Sequence, residues 1–457
     1  MKIKNVLCIG AGFVGGPTMA VMADNCPGIT FTVVDTDTQR IKRWNSKHLP
    51  VFEPGLDELV SRARGRNLFF KEASGKAIAA ADLIFVSVNT PTKDYGEGEG
   101  MAADLQFWEK CARAILASAR DNTIVVEKST VPVRTAEAIS RILHANDDGR
   151  RFHVLSNPEF LAEGTAIRDL KSPDRILIGC EPTPEGRAAG AALFEIYRHW
   201  VPEKKILMSS VWSAELSKLA ANAMLAQRVS SINSISAICE HTMADIGEIS
   251  QAVGMDSRIG NKFLDAGVGF GGSCFRKDIL NLAYICGQYG LGEVAAYWKS
   301  VVDLNDYQIA RFARMVVEKQ FNTVADKKVA IFGFAFKPGT NDTRDSPALQ
   351  VCLHLLEEQA ELQITDPQAL EQARLDLTGI PGKMEFHKDP YKAAAGAHAI
   401  VVLTHWPEFL ELDYRAILAS MESPAFFFDG RRQFDTDELY RIGFNVYPIG
   451  QSPRTRF

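Results

Sequence analysis

The sequence predicts an α/β protein with two doubly wound, parallel-sheet units joined by a long central helix. Short apolar, β-branched runs recur in the first and last thirds of the chain, and polar or glycine-bearing turns follow them. Between Pro202 and Gly247 there is no proline or glycine, and residues 211–245 have helical apolar spacing. At 457 residues the chain is long enough for two or three domains with ample core.

Composition argues against several classes of partner. Charged residues make up 23% of the chain and the formal net charge is −5, so neither a nucleic-acid partner nor binding to a membrane surface is indicated. The eight cysteines contain no C-x-x-C pair, and the nine histidines lack metal-binding spacing, so we predict no bound metal. The N-terminus is typical of a strand entering a glycine turn and not of a signal peptide, so we expect a cytoplasmic protein.

The first element is a strand over residues 4–10 that leads into Gly10-Ala11-Gly12-Phe13-Val14-Gly15 and a helix-compatible run over residues 17–23. A second strand, residues 29–35, ends in Asp35, about twenty positions after the glycines. G-x-G-x-x-G in this strand–turn–helix context is typical of a Rossmann dinucleotide site. Asp35 can accept both hydroxyls of the adenosine ribose, which favours NAD, although Arg40 nearby leaves NADP open.

Three later strands, residues 81–88, 123–127 and 152–155, each lead into a polar loop that contains proline. Ligands of a doubly wound sheet bind beyond the carboxyl ends of its strands. Turn chemistry alone explains any one of these loops. Their common position makes them candidate walls of one active site, and the loops comprise residues 89–92, 128–132 and 156–164.

The long helix is predicted to bridge domains or pair subunits. Lys218 and Asn222 are four residues apart on it and therefore share a face. This pair is either part of a solvated stripe or, as the apolar neighbours suggest, a partly buried polar pair.

Cys274 lies behind closely spaced glycines and ahead of Arg276, Lys277 and Asp278. Glycines let a ligand approach the backbone closely, and neighbouring cations favour the nucleophilic thiolate. A buried, inert thiol is the competing interpretation, and this segment alone does not decide between them.

The last third repeats the α/β pattern. Strands are predicted at residues 329–332, 362–365, 399–404 and 425–428, with a helix over residues 348–359. G-x-G-x-x-G is missing here, so a second dinucleotide bound in the same way is disfavoured. Lys337, Arg344 and Arg431 follow predicted strands and suit a phosphorylated nucleotide, the alternative being surface cations near a domain interface.

Longer segments resemble the nucleotide-sugar 6-dehydrogenases, that is, the UDP-glucose/GDP-mannose dehydrogenase family. The resemblance extends over nearly the whole chain. It implies an NAD-binding domain over residues 1–205, a central helical domain with the dimerisation helix and the cysteine loop over 206–325, and a UDP-sugar-binding domain over 326–457. The matching segments are residues 9–12, 88–92, 127–132, 157–164, 215–222, 258–264, 268–278 and 428–432.

The resemblance implies oxidation of C6 of UDP-glucose to UDP-glucuronate with two NAD, a step toward polysaccharide precursors. An aldehyde cannot readily release hydride until a nucleophile makes its carbon tetrahedral, so the thiol would form a thiohemiacetal and then a thioester that water hydrolyses. Cys274 would be the nucleophile and Glu159 the base in hydrolysis. Thr130 and Asp278 would position the water, and Lys218 and Asn222 would stabilise oxyanion charge.

Other residues match the family's ligand contacts. Contacts to NAD are implied for Gly10, Ala11, Gly12, Phe13, Val14, Gly15, Asp35, Arg40, Val88, Asn89, Thr90, Pro91, Thr92, Ser129, Thr130, Val131, Glu163, Lys277 and Arg344. Contacts to the UDP-sugar are implied for Glu159, Phe160, Leu161, Lys218, Asn222, Arg258, Asp265, Ala266, Gly267, Val268, Gly269, Phe270, Gly271, Phe336, Lys337 and Arg431. Arg258 matches a residue offered across a subunit interface, which implies a homo-oligomer of at least two subunits, with a hexamer as one form.

Two places depart from the family pattern. Arg276 stands where a glutamine or proline is expected and adds a charge beside the nucleophile, and residues 338–341 differ after Lys337. The competing hypotheses are the same chemistry on GDP-mannose or UDP-N-acetyl-mannosamine, a two-electron NAD dehydrogenase with an inert Cys274, and a non-enzymatic nucleotide-sugar sensor. Within the resemblance, Phe275 and the Lys277-Asp278 pair favour the glucose substrate, because the family's acetamido-sugar members usually lack that pair.

Overall fold

A computed structural model describes residues 2–146 and 148–457, and the chain divides into two compact units. Unit 1 comprises Met1–Ala221 and Tyr284–Gly290, and unit 2 comprises Asn222–Ala283 and Leu291–Phe457. In the described residues, no helix is both long enough and apolar enough to cross a membrane.

Unit 1 is an α/β unit. Its strands are β1 (Asn5–Ile9), β2 (Thr30–Asp35), β3 (Leu68–Glu72), β4 (Leu83–Val86), β5 (Thr123–Glu127), β6 (Phe152–Ser156), β7 (Ile176–Cys180) and β8 (Ile206–Ser210). Its helices are α1 (Gly15–Asn25), α2 (Thr38–Trp44), α3 (Leu56–Ala63), α4 (Gly75–Ala80), α5 (Gln106–Ser118), α6 (Thr135–Leu143), α7 (Ala166–Lys171) and α8 (Pro184–Tyr197), with a 3₁₀ turn at Glu203–Lys205.

The eight strands form one sheet in the order β3-β2-β1-β4-β5-β6-β7-β8. The first six strands in this order are parallel to one another. β7 pairs antiparallel with β6, and β8 pairs parallel with β7. Successive residues of β1 enter different apolar clusters, Val6 and Cys8 in one and Leu7 in the other, because side chains alternate across a strand. Because β1, β4, β5 and β6 are parallel, their carboxyl ends share one edge of the sheet, as predicted.

Four helices connect the two sheets in sequence: α9 (Val211–Thr242), α10 (Ile246–Gly254), α11 (Phe275–Gln288) and α12 (Gly292–Lys319). The long helix is confirmed but ends three residues before the predicted residue 245. Met243 adopts a left-handed φ of 60°, which breaks the helix. Asp245 instead caps α10, since its carboxylate accepts from Gly247 N at 2.6 Å.

Unit 2 contains the second α/β copy. Its strands are β9 (Lys328–Phe332), β10 (Glu361–Thr365), β11 (Lys383–Phe386), β12 (Ala399–Val402), β13 (Phe426–Asp429) and β14 (Asn445–Pro448). Its later helices are α13 (Pro347–Glu357), α14 (Leu370–Asp376), α15 (Pro390–Ala394), α16 (Tyr414–Ser420) and α17 (Thr436–Ile442), with a 3₁₀ turn at Pro407–Glu411. The strand order is β11-β10-β9-β12-β13-β14 and every described pairing in this sheet is parallel.

The strand predicted over residues 81–88 is shorter than expected, covering Leu83–Val86. Before the strand, the Asp82 carboxylate accepts from Lys4 N and Asn5 N at 2.8 Å each and so ties its start to β1. After it, the chain leaves the ladder at Val88, whose carbonyl accepts from Ser129 Oγ at 2.6 Å. The residues lost from the strand belong to the loop at the candidate site.

Candidate active site

The glycine turn after β1 is closed by packing at two positions and open at the third. Gly10 has φ +107°, and a Cβ there would lie 2.1 Å from Ser87 O. A Cβ on Gly15 would lie 2.1 Å from Gly10 O, so the helix packs directly on the turn. At Gly12, by contrast, a Cβ would meet no described atom within 4 Å. Open space at the N-terminal end of α1 fits a pyrophosphate.

Asp35 at the end of β2 is held on both carboxylate oxygens. Its Oδ2 accepts from Ala11 N at 2.8 Å and from Arg40 Nη1 at 3.0 Å, and its Oδ1 accepts from Asp37 N at 2.9 Å. Arg40 is therefore engaged by the carboxylate that was predicted to bind the ribose. The hydrogen bond from Ala11 N joins Asp35 to the glycine turn, where a dinucleotide of the NAD type would lie.

The loops after β4 and β5 are joined side by side. Ser129 Oγ donates to Val88 O at 2.6 Å, and Thr90 Oγ1 donates to Thr130 O at 2.8 Å. The structure thus brings together the predicted cofactor loops, residues 88–92 and 129–131, because β4 and β5 are neighbours in the sheet.

Glu159 and Lys218 form a buried ion pair. Lys218 Nζ lies 3.1 Å from Glu159 Oε1, and the two side chains are only 5% and 9% exposed. The other carboxylate oxygen accepts from Leu161 N at 2.9 Å. For Lys218 the interpretation as a solvated helix stripe is therefore wrong, because the loop after β6 covers this part of α9.

Sequence reasoning missed two residues that support this loop. Arg175 stacks over the Phe160 ring at 3.7 Å from the centroid, and Lys218 Nζ lies 5.4 Å from the same centroid. Glu53 accepts from Gly164 N at 2.7 Å and from Ala166 N at 3.1 Å, which fixes the backbone just after Glu163. Neither residue belongs to the loop itself, so the loop's own sequence pattern does not indicate them.

Cys274 lies immediately before α11. Its carbonyl accepts from Asp278 N at 2.9 Å, the first hydrogen bond of the helix, and Ser273 Oγ lies 3.5 Å from Sγ. The positive end of the helix dipole favours a thiolate at this position. Cys274 is half-buried, and Asp278, four residues on, lies on the same helix face.

Asp278 joins two other predicted residues of unit 2. Asn222 Nδ2 donates to Asp278 Oδ2 at 2.6 Å, and Lys277 Nζ lies 3.0 Å from Asp278 Oδ1. Asn222 and Asp278 are buried, so Asn222 too is no part of a solvated stripe. Arg276 makes a bidentate ion pair with Asp306 of α12, with N–O distances of 2.5 and 3.0 Å. Its charge is thereby matched by a carboxylate.

The loop over residues 265–271 is held by amide side chains. Asn305 accepts from Phe270 N at 2.8 Å and donates to Phe270 O at 3.1 Å, while Asn233 accepts from Gly267 N at 2.9 Å. These partners lie on α9 and α12, and sequence reasoning missed both.

Arg431 follows β13 and reaches the same loop. Its Nη1 donates to Gly269 O at 3.2 Å and its Nε to Leu403 O at 2.6 Å. Its Nη2 is buried and has no hydrogen-bond partner among the described residues. Burial lowers the pKa of Arg431 to about 10, against the opposing effect of Asp429. A buried, unsatisfied guanidinium nitrogen fits an anionic or carbonyl-bearing ligand.

The remaining predicted residues of unit 2 take three different places. Phe336 packs on Gly272, where a Cβ would lie 2.8 Å from its ring, and Lys337 Nζ lies 5.3 Å from that ring's centroid. Arg344 makes a fork-like pair with Asp342 at 2.7 and 2.9 Å. Arg258 pairs with Asp256 and is 87% exposed.

Asp366 at the end of β10 is the counterpart of Asp35, but it is saturated. Its Oδ2 accepts from Phe334 N at 2.7 Å, Ala335 N at 3.0 Å and Trp406 Nε1 at 3.0 Å. Its Oδ1 accepts from Gln368 N at 2.8 Å and Ala369 N at 2.6 Å. Five internal donors leave this carboxylate no role with a ribose.

Family models match the chain in three consecutive segments. Residues 4–201 match the NAD binding domain of the UDP-glucose/GDP-mannose dehydrogenase family, residues 212–307 its central domain, and residues 330–436 its UDP binding domain.

Full-length relatives agree with these models. A UDP-glucose 6-dehydrogenase of Drosophila melanogaster is 56% identical over 98% of this chain and 96% of its own, and one of Mus musculus is 56% identical over 99% and 94%. A solved UDP-glucose dehydrogenase from Pyrobaculum islandicum superposes with a TM-score of 0.86 at 32% identity, covering 99% of this chain and 98% of that one. The chain is therefore an NAD-dependent oxidoreductase that belongs to the UDP-glucose/GDP-mannose dehydrogenase family.

Proposed function

We propose that the enzyme oxidises C6 of UDP-glucose to UDP-glucuronate, removing four electrons and consuming two NAD and one water per substrate. The observation that carries the proposal is the thiol of Cys274 at the start of α11, one turn before the buried Asp278, which Asn222 and Lys277 hold in place. A two-electron alcohol dehydrogenase has no use for such a nucleophile. The substrate named for the relatives supports UDP-glucose as the sugar.

The cysteine solves a chemical problem in the second oxidation. Bound NAD supplies the hydride acceptor for both oxidations, and the open space at Gly12 beside Asp35 accommodates it. The aldehyde formed first has a trigonal carbon. The Cys274 thiolate adds to that carbon and the aldehyde's carbonyl oxygen takes a proton, which gives a tetrahedral thiohemiacetal. Loss of a hydride and a proton from the thiohemiacetal leaves a thioester on Cys274.

Hydrolysis then requires a base and an activated water. The Glu159 carboxylate is held by Lys218 and Leu161 N, so it presents a fixed acceptor to a water proton. Water oxygen adds to the thioester carbon, the C–S bond breaks, and the thiolate is released. Lys218 and Asn222 are the donors proposed to stabilise oxyanion charge, and Thr130 with Asp278 the groups that position the water.

The UDP moiety is assigned to residues 265–271 with Phe336, Lys337 and Arg431. The buried Arg431 Nη2, without a partner among the described residues, supports this assignment because a phosphate or uracil oxygen would satisfy it. The proposed domain roles keep the predicted boundaries: NAD in residues 1–205, the cysteine loop in 206–325 and UDP in 326–457.

We also propose a homo-oligomer of at least two subunits. Arg258 is 87% exposed, in keeping with a residue offered to a neighbour. Along α9, large apolar side chains are exposed at Trp212, Leu216, Met224 and Ile238. Light scattering after size-exclusion chromatography is expected to give at least twice the chain mass, and a monomer at assay concentration would contradict this proposal.

The decisive assay is stoichiometry. With UDP-glucose limiting and NAD in excess, two NADH should form per UDP-glucose, with the acid as the released product. One NADH with free aldehyde would rule the proposal out. Parallel assays with GDP-mannose and UDP-N-acetyl-mannosamine test the sugar, and a higher kcat/KM on either would replace UDP-glucose as substrate.

Glu159→Gln tests the hydrolysis step separately. The amide cannot accept a proton, so hydrolysis should slow by about two to four orders of magnitude while the thioester on Cys274 accumulates. Intact-protein mass spectrometry should detect the added sugar nucleotide in this variant. Glu185→Gln, an exposed position on α8, serves as the control and should turn over like the unchanged enzyme. Finding only unmodified Glu159→Gln protein would count against the assigned base.

A further inference from the structure

A lysine to which no role has yet been assigned is buried at the start of the loop after β5. Lys128 follows β5 directly and is 2% exposed. Its Nζ donates to Asn157 Oδ1 at 3.1 Å and to Tyr197 OH at 3.2 Å. Both partners are neutral, and within residues 2–146 and 148–457 Lys128 makes no ion pair. A buried ammonium without a paired carboxylate costs several kcal/mol of unfolding free energy.

Hydrogen bonding does not explain why a lysine stands here. Tyr197 OH already donates to Asn157 Oδ1 at 2.6 Å, and Asn157 Nδ2 donates to Leu177 O at 2.8 Å. A methionine of similar length would leave both side chains partnered. What distinguishes lysine at this position is its charge.

Charged groups of the proposed site act electrostatically on this ammonium. Among the described residues, Glu159 after β6 attracts the ammonium and Lys218 of α9 repels it. Tyr197 of α8 and Cys8 of β1 also face it, and burial raises the pKa of both, so they stay neutral. Burial lowers the pKa of Lys128 to about 8, so the side chain changes charge in mildly alkaline solution.

We propose that Lys128 is a positioning residue whose charge sets how readily Glu159 accepts the proton of the hydrolytic water. The inference rests on the base role proposed above for Glu159. When Glu159 takes that proton its negative charge disappears, and with it the attraction to the ammonium groups of both Lys218 and Lys128. A charged Lys128 therefore opposes the transfer and a neutral Lys128 permits it. The same side chain holds Asn157, two residues before Glu159, and lies two residues before Thr130.

Two variants separate charge from packing. Lys128→Met is neutral at every pH and Lys128→Arg is charged at every pH. Loss of the Cys274 thioester is followed by rapid quench and intact-protein mass spectrometry from about pH 6.5 to about pH 9.5. In the unchanged enzyme the hydrolysis rate should rise about tenfold with a midpoint near 8. Lys128→Met should be fast at neutral pH without that rise, and Lys128→Arg slow throughout.

Lys205→Met is the matched control, since this lysine donates to Pro173 O at 2.8 Å in the same unit. It should keep the rise. A Lys128→Met profile that retains the rise, or Met and Arg variants that slow hydrolysis equally, would overturn the inference. If Glu159→Gln accumulates the thioester while the Lys128 variants leave the profile unchanged, only this inference fails. If Glu159→Gln does not accumulate it, the base assignment fails first.

Discussion

Glu127→Gln should stabilise the protein, and the gain should grow with pH. Glu127 ends β5, is 1% exposed, and interacts electrostatically with Glu215 of α9. The Glu215 carboxylate is already committed, since it accepts from Arg134 N at 2.7 Å and from Ala136 N at 2.8 Å at the start of α6. Burial, and then the neighbouring Glu215 carboxylate, raise the pKa of Glu127 well above its ordinary value. Glu127 therefore stays protonated in the folded protein.

The sign and size follow from proton linkage. Above about pH 4.5 the unfolded chain loses the Glu127 proton while the folded protein keeps it, so the folded state binds more protons. Its unfolding free energy therefore falls by about 1.4 kcal/mol per pH unit until the pH reaches the folded pKa. Glutamine has nearly the same shape and has no acidic proton to lose, so the variant is free of this penalty. The variant should gain about 1.4 kcal/mol for each pH unit above about 5.

Differential scanning fluorimetry at several pH values measures this gain. The difference in melting temperature should widen by about 2–4 °C per kcal/mol in a unit of this size. Glu137→Gln is the control: the Arg134 hydrogen bond lowers the pKa of Glu137, so its loss should destabilise with no trend over this pH range. A pH-independent difference for Glu127→Gln, or a variant less stable at every pH, would show that Glu127 is ionised in the folded protein.

Three further substitutions test other parts of the site. Gly12→Ala should leave the melting temperature unchanged, because its methyl group enters open space, but should raise KM for NAD by about tenfold or more, because that space is where the pyrophosphate is expected. Gly10→Ala should lower the melting temperature, because its Cβ would lie 2.1 Å from Ser87 O. Equal melting temperatures for the two variants would contradict this. Arg276→Gln should cost at most about 1 kcal/mol of unfolding free energy and leave kcat unchanged, since Asp306 already matches its charge. A large fall in kcat would show that Arg276 acts on the thiol.

Local rules were sufficient for much of the fold and for the nucleotide half of the site. The turn from β1 to α1 requires its glycines and its Asp35 at fixed spacings, and the long helix follows from a stretch without proline or glycine. Arg276 could not be interpreted because its partner Asp306 is thirty residues away, on a different helix. Lys128 reads as an ordinary polar loop residue until Tyr197 and Asn157 are seen around it. Long-range partners, and the reversal of β7, depend on packing that no local pattern encodes.

The saturated Asp366 shows how a repeated strand–turn–strand frame can keep its acidic residue for a purely structural purpose. The two sheets repeat the same strand, turn and acidic residue. Asp35 accepts hydrogen bonds from three donors, one of them the side chain of Arg40, whereas Asp366 accepts from five. One of those five is the indole of Trp406, which comes from the loop after β12. In unit 2 the acidic residue after the second strand of the repeat therefore serves the fold alone, because internal donors occupy both of its oxygens.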